Sequence, residues 1–437
     1  MTTDAKDASK NDPKDDPTKL YDPNDPRYYG YSKFQFRLWH GMTTWAFLSM
    51  LKGNFKYVSP QRYGLVASVF AMSLLHSLLA IFVRIFYTGR INKTEFAGDP
   101  VCIIGFQRSG TTFLNEMIAC DDRFAYPDNL QCIMPDSFIL AEKRLRRSNS
   151  MMKMEKRPMD DMDMSMDAPQ EDEIAMLNSG YSSPYVQMAF PGASDTYHSI
   201  LRDQQVNPWI RVCWSKGWVR FLKMVQFRNP GKRLLLKSPT HTVRVALIKS
   251  IFPNAKFIHI TRNPYRIFHS NLKLGKALSV TQGFDAAGMT DEQIMADLKG
   301  GFREFHESYE NQKHVIPEGN LVTVRYEDLV KEPMEVMRKI YADLDLADIE
   351  HAVPKMQGYI DSRKGYTPNT YKEDPEIVRM INDNWGIYFD AYGYDRLSIE
   401  GEEPPVNEAI VTKDGEAPGT PEDDMTDNTQ VQNASHG

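Results

Sequence analysis

The sequence predicts an α/β domain: a mostly parallel sheet with helices on both faces, preceded by a helical N-terminal segment. Three observations predict it. Short apolar runs at Val101–Gly105, Leu234–Lys237, Lys256–Ile260 and Leu321–Arg325 read as buried parallel strands. Helical periodicity follows at 111–119, 240–251, 264–274, 291–312, 330–342 and 374–389. A glycine-containing turn, GFQRSGTTFL (Gly105–Leu114), joins the first strand to the first of these helices.

That turn has the features of a phosphate cradle, which makes the fold P-loop-like and three-layered. Gly105 and Gly110 let the backbone approach an anion, and the start of the following helix contributes about half a positive charge. Ser109, Thr111 and Thr112 offer hydroxyls, and Arg108 offers a guanidinium fork. The turn departs from the nucleotide-hydrolase loop GxxxxGK[ST], because Thr111 stands where that loop has its lysine. A tight strand–helix turn without a ligand is the plain alternative.

Bulk properties narrow the class. The chain has 437 residues, 41% hydrophobic and 25% charged, which is ordinary for a globular protein. A net charge of −6 argues against nucleic acid as a partner held by charge. Cys102, Cys120, Cys132 and Cys213 have no CxxC or metal-like spacing, so no metal site is expected and a reducing, cytoplasmic compartment is. The polar, acidic N-terminus does not resemble a secretory signal.

Composition also divides the chain. Residues 1–27 and 400–437 are polar and acidic and read as disordered tails. Residues 28–97 form the helical segment, dense in aromatics from Tyr28 to Gly53. Within it Tyr63–Val83 carries no formal charge over 21 residues, long enough to span a bilayer. Ser68, Ser73, His76 and Ser77 are unusual for a lipid-facing helix, so a helix lying on the membrane or packed on the domain as an apolar lid is favoured over a span. Residues 98–395 form the α/β domain, with 120–232 a long insertion between the first two strands. Its stretch Met151–Asp167 holds seven methionines, which reads either as a loop with incidental Met or as an adaptable apolar surface.

A second stretch gives the cradle a partner. In FIHITRNPYRIFHS (Phe257–Ser270) an apolar strand ends at Thr261, Arg262 follows, and Pro264 suits a first helical turn. Arg262 and Ser270 could clamp a second phosphate at the strand ends, where open α/β sheets bind ligands.

With these motifs in order, the sequence resembles the sulfotransferases that use 3′-phosphoadenosine-5′-phosphosulfate (PAPS), and their bacterial branch in particular. GFQRSGTTFL looks like the family's 5′-phosphosulfate loop, with Gln107 where many relatives have Pro. Arg262 and Ser270 match its 3′-phosphate pair. LLLKSPTHT (Leu234–Thr242) resembles its central strand ending in a lysine near the sulfuryl group, here Lys237. VRYEDL (Val324–Leu329) resembles a late family strand, and Arg363-Lys364-Gly365 looks like the RKG segment that closes over the 3′-phosphate.

The resemblance implies sulfuryl transfer from PAPS to a hydroxyl or amine acceptor, releasing adenosine 3′,5′-bisphosphate (PAP). Arg108 and Lys237 would stabilise the leaving oxygen, with no metal required. An acceptor must lose a proton. Candidate bases are the acidic run APQEDE (Ala168–Glu173), with Glu173 ahead of Asp172, and His241. A nucleotide kinase or NTPase, and a membrane-associated PAP-binding protein without catalysis, are the alternatives.

Overall fold

The computed structural model describes residues 36–147, 153–154, 164–193, 201, 207–363 and 374–399. Both expected tails, most of the Met-rich stretch, and Lys364 and Gly365 lie outside the described residues.

The central sheet has five strands, numbered here β1 (Val101–Ile104), β2 (Phe124–Ala125), β3 (Arg233–Lys237), β4 (Lys256–Thr261) and β5 (Leu321–Arg325). All pairings are parallel, in the order β2-β3-β1-β4-β5. Alternation along β1 explains its unbroken apolar run. Val101 and Ile103 face a core layer with Leu114, Met117, Ile258 and Ile340, while Cys102 and Ile104 face another with Leu236, Phe257 and Trp218. From β1 the chain runs to β2 at one edge and returns through β3, whereas from β4 it runs to β5 at the other edge, so the connections diverge between β1 and β4. The carboxyl ends of β1 and β4 therefore flank a switch point, the place where open α/β sheets bind ligands.

Four strands match the expected runs to within a residue. The region 120–232 is not one insertion before the second strand, because Phe124–Ala125 pairs with Arg233 and Leu234 at the sheet edge. Two residues are too few to leave a periodic signal. The helix expected at 240–251 is a 3-10 turn, Pro239–Arg244, followed by an α-helix, Val245–Ile251. All six residues of the turn are buried, and Thr240, His241, Thr242 and Arg244 each bond to a neighbouring element. The helix expected at 330–342 divides into Tyr326–Lys331 and Pro333–Asp343, because Pro333 pushes Glu332 out of helical geometry.

The N-terminal segment shares the sheet's core. Trp39, Met42, Phe47, Leu65 and Val69 join the layer that contains Leu234 and Phe257. The Tyr63–Asn92 helix buries Leu65, Val69, Ser73, His76, Ala80, Val83 and Ile91, one stripe from its first turn to its last. Its polar groups are bonded inward. Ser68 Oγ meets His40 Nε2 at 3.2 Å, Ser73 Oγ meets Thr44 Oγ1 at 3.1 Å, and His76 Nδ1 meets Ser137 Oγ at 2.8 Å. Among the described residues this helix alone, from Pro60 to Asn92, is long and apolar enough to cross a membrane, yet it is held against the domain along its length.

Two buried histidines make the fold acid-sensitive. Burial pushes His259 down to about 3, with His306 beside it acting the same way. Burial pushes His40 down to about 4. The unfolded chain therefore binds more protons below its own histidine pKa near 6.5. The stabilising term is complete above that pH and is lost as pH falls toward 4 and then 3. At pH 5 each histidine removes ~2 kcal/mol. Thermal melting should fall steadily from pH 6.5 to 4, and His259→Gln should flatten that slope. A slope unchanged by His259→Gln would contradict this account.

Candidate functional site

The cradle is built at the end of β1. Gly105 has φ +147°, and a Cβ there would lie 2.5 Å from Ile260 O. Gly110 has φ +106°, and a Cβ would lie 2.2 Å from the Tyr326 ring. Side chains are thus excluded at both ends of the turn. Arg108 is one of two non-glycine residues at positive φ among the described residues, at +65°. Neighbours hold the turn from outside. Gly105 N donates to Thr242 Oγ1 at 2.8 Å, Asn271 Nδ2 donates to Gln107 O at 2.9 Å, and Arg262 Nη1 donates to Arg108 O at 2.8 Å.

Two features fit an anion. The Thr111–Ala119 helix starts after Gly110 with no side-chain cap, so its first-turn N–H groups are offered to the cradle. Ser109 Oγ is buried with no partner among the described residues. Thr111 is buried and Thr112 half-buried beside them.

Arg262 and Ser270, the pair expected at a second phosphate, adjoin the first loop. Arg108 Nε donates to Ser270 Oγ at 2.8 Å. The Arg262 guanidinium stacks 4.3 Å from the Tyr326 ring, with Nε buried and unpartnered among the described residues. Strand pairing dictates this meeting, since Ile104 pairs with His259, three residues before Arg262. The VRYEDL segment braces the same turn. Glu327 accepts from Asn263 N at 2.9 Å and from Tyr394 Oη at 3.0 Å. Arg363, at the end of Val353–Ser362, donates to Glu116 Oε2 at 2.6 Å, on the cradle's own helix.

Lys237 ends β3 opposite Ile103, two residues before Gly105, and is buried. Its Nζ donates to Glu171 Oε1 at 2.7 Å. Glu171 stands just before the Asp172–Asn178 helix, and Tyr185 Oη donates to its other oxygen.

The three expected bases lie elsewhere. Asp172 Oδ2 meets His241 Nε2 at 2.8 Å and accepts from Trp218 Nε1, and both Asp172 and His241 have no exposed surface. Burial pushes the Asp172 carboxyl up, and His241 and Trp218 more than reverse this, leaving it below its ordinary value. Glu173 is equally buried, accepting from Arg244 and from Thr240 Oγ1 at 2.8 Å. The Pro239–Arg244 turn thus absorbs Asp172 and Glu173, and Glu171 is the acid of the run that faces Lys237. The signal was in KSPTHTVR, Lys237–Arg244. A buried turn carrying Thr240, His241 and Arg244 needs polar partners, and two adjacent acids supply them. Tyr185 and Asn271, which contact Glu171 and the turn, lie outside every motif quoted above.

Comparison with known proteins agrees with this architecture. Residues 100–350 match the model of the sulfotransferase family. The chain is 32% identical over 365 residues to omega-hydroxy-beta-dihydromenaquinone-9 sulfotransferase Stf3 of Mycobacterium bovis, covering 83% of this chain and 92% of that one. The same values hold for Stf3 of Mycobacterium tuberculosis. Among solved structures, sulfotransferase STF9 from Mycobacterium avium shares the fold with a TM-score of 0.59 at 14% identity, covering 86% of this chain and 96% of that one. STF1 from M. tuberculosis does so with a TM-score of 0.53 at 15% identity, covering 78% and 90%. The turn at the end of β1, the Arg262–Ser270 pair bonded to it and the lysine on the neighbouring strand end agree with these matches, and the chain belongs to the sulfotransferase family, whose cosubstrate is PAPS.

Proposed function

We propose that this sulfotransferase sulfates the hydroxyl of an apolar, lipid-like alcohol, with Glu171 as general base and Lys237 at the leaving oxygen. The observation that carries this is the 2.7 Å Lys237–Glu171 pair beside the cradle. PAPS supplies the sulfuryl group and a phosphate leaving group. Arg108, Ser109, Thr111, Thr112 and the loop N–H groups hold the 5′ end. Arg262 and Ser270 take the 3′-phosphate, a role the family resemblance extends to Arg363, Lys364 and Gly365. Glu171 accepts the acceptor's proton, and Lys237 then offers its hydrogen bonds to the oxygen on which charge develops. Charge neutralisation falls to Arg108 and Lys237 rather than to a metal.

The acceptor class is supported by the Stf3 relatives, named for a hydroxylated menaquinone. Four unpaired cysteines support a cytoplasmic setting. Transfer of labelled sulfate from PAPS to a lysate, followed by mass spectrometry, tests the acceptor. Label in a solvent-extractable alcohol is expected, and label confined to water-soluble products would refute the lipid reading. The 3′ assignment has a separate test. Arg262→Ala should weaken PAP by roughly 10- to 100-fold in calorimetry, the worth of a charge-assisted contact, and AMP by less than about threefold. Equal weakening of both would reject the assignment.

A further inference from the structure

The Tyr63–Asn92 helix is inside out. Its serines and histidine point into the domain, while Phe70, Leu74, Leu78, Ile81, Phe82, Ile85 and Phe86 form an outer stripe at helical spacing. Ile85 is 66% exposed and Phe86 63%. Trp45 and Leu48 are exposed on the neighbouring Thr44–Leu51 helix, and Phe55 stacks on Tyr63 at the helix start, both rings in solvent. So large a continuous apolar face needs an occupant.

Charge identifies that occupant. Residues 26–94 contain nine Lys and Arg and no Asp or Glu, in a chain whose net charge is −6. Lys52, Lys56, Arg84, Arg90 and Lys93 are exposed around the stripe. A second copy docked through this face would bring like charges together across a two-fold axis. An anionic bilayer meets both the apolar stripe and its basic border. We propose that this face docks the enzyme on an anionic membrane surface, the helix lying in the interface and not crossing it. A crossing would strip Ser68, Ser73 and His76 of the partners described above.

The docking face also communicates with the site, a point that rests on the proposed function. The Asp172–Asn178 helix packs against Thr44–Leu51, and a Cβ on Gly180, just beyond it, would lie 2.8 Å from Trp45. Glu171 precedes the other end. Seven residues span about 10 Å, so one short helix separates the base from the exposed Trp45. A bilayer-borne hydroxyl would thus have little distance to cover.

The test is flotation of the full chain with phosphatidylcholine vesicles, with and without phosphatidylglycerol. Wild type should float with the anionic vesicles, less so at high salt. Ile81→Glu combined with Ile85→Glu should weaken partitioning at least ~10-fold. Wild type left in the supernatant, equal flotation of the variant, or a dimer that the variant dissolves would each overturn the proposal. PAP calorimetry keeps the two readings apart. The variant should bind PAP as wild type does, which also reports that it is folded. Absence of PAP binding in both would sink the proposed function and leave the flotation result standing.

Discussion

Lys237→Met should lower kcat by ~10²–10³, the cost of removing one preorganised donor from a developing oxyanion, while PAP affinity changes by less than about threefold. The side chain lies at the end of β3, beside the cradle but outside the Gly105–Gly110 turn. It is buried and bonded to Glu171, so its charge is available to a group arriving between them. Methionine keeps the aliphatic stem and removes only the ammonium group. The same change leaves Glu171 without its cation, so Lys237→Met should also melt earlier than wild type. Adding Glu171→Gln should restore part of that loss, because an unpaired carboxylate costs more than a neutral amide. A single variant with undiminished turnover from PAPS would remove Lys237 from the reaction.

Glu171→Gln should reduce kcat by roughly 10²–10⁴, the range of a positioned base, with little change in PAP binding. The neighbouring acids should behave differently. Asp172→Asn and Glu173→Gln each disturb a fully buried network, with His241 and Trp218 in one case and Arg244 and Thr240 in the other. Their main effect should be a lower melting temperature, by an amount matching ~3–5 kcal/mol for a broken buried ion pair. Circular dichroism melts alongside single-turnover rates with labelled PAPS separate the two patterns. If Glu171→Gln turned over normally and folded Glu173→Gln did not, the assignment of the base would be reversed.

Much of this could be read from the residues. Buried parallel strands write themselves as unbroken apolar runs, and four of them fell where VCII, LLLK, KFIHIT and LVTVR stand. That Arg108, Arg262 and Ser270 meet was legible because strand ends of a parallel sheet converge at one edge. Two kinds of feature stayed hidden. A two-residue edge strand carries no period. The choice among Glu171, Asp172 and Glu173 depended on which acids the buried Thr240–Arg244 turn would claim, a question of tertiary pairing. For Tyr63–Asn92, composition gave the apolarity but not its direction. Only the partners of Ser68, Ser73 and His76 reveal that the polar face is the inner one.

The left-handed Arg108 has a further implication. A non-glycine residue in that conformation costs ~1–2 kcal/mol. Its carbonyl is held by Arg262, and its side chain by Ser270, both from the β4–helix connection. The grip on one phosphate is therefore shaped by residues assigned to the other, and the two anchors form one mechanical unit. GFQRSGTTFL is not a portable module. Grafted onto another strand–helix junction without its Arg262 and Ser270, the peptide would relax, and its affinity for phosphate would stay behind with the parent fold.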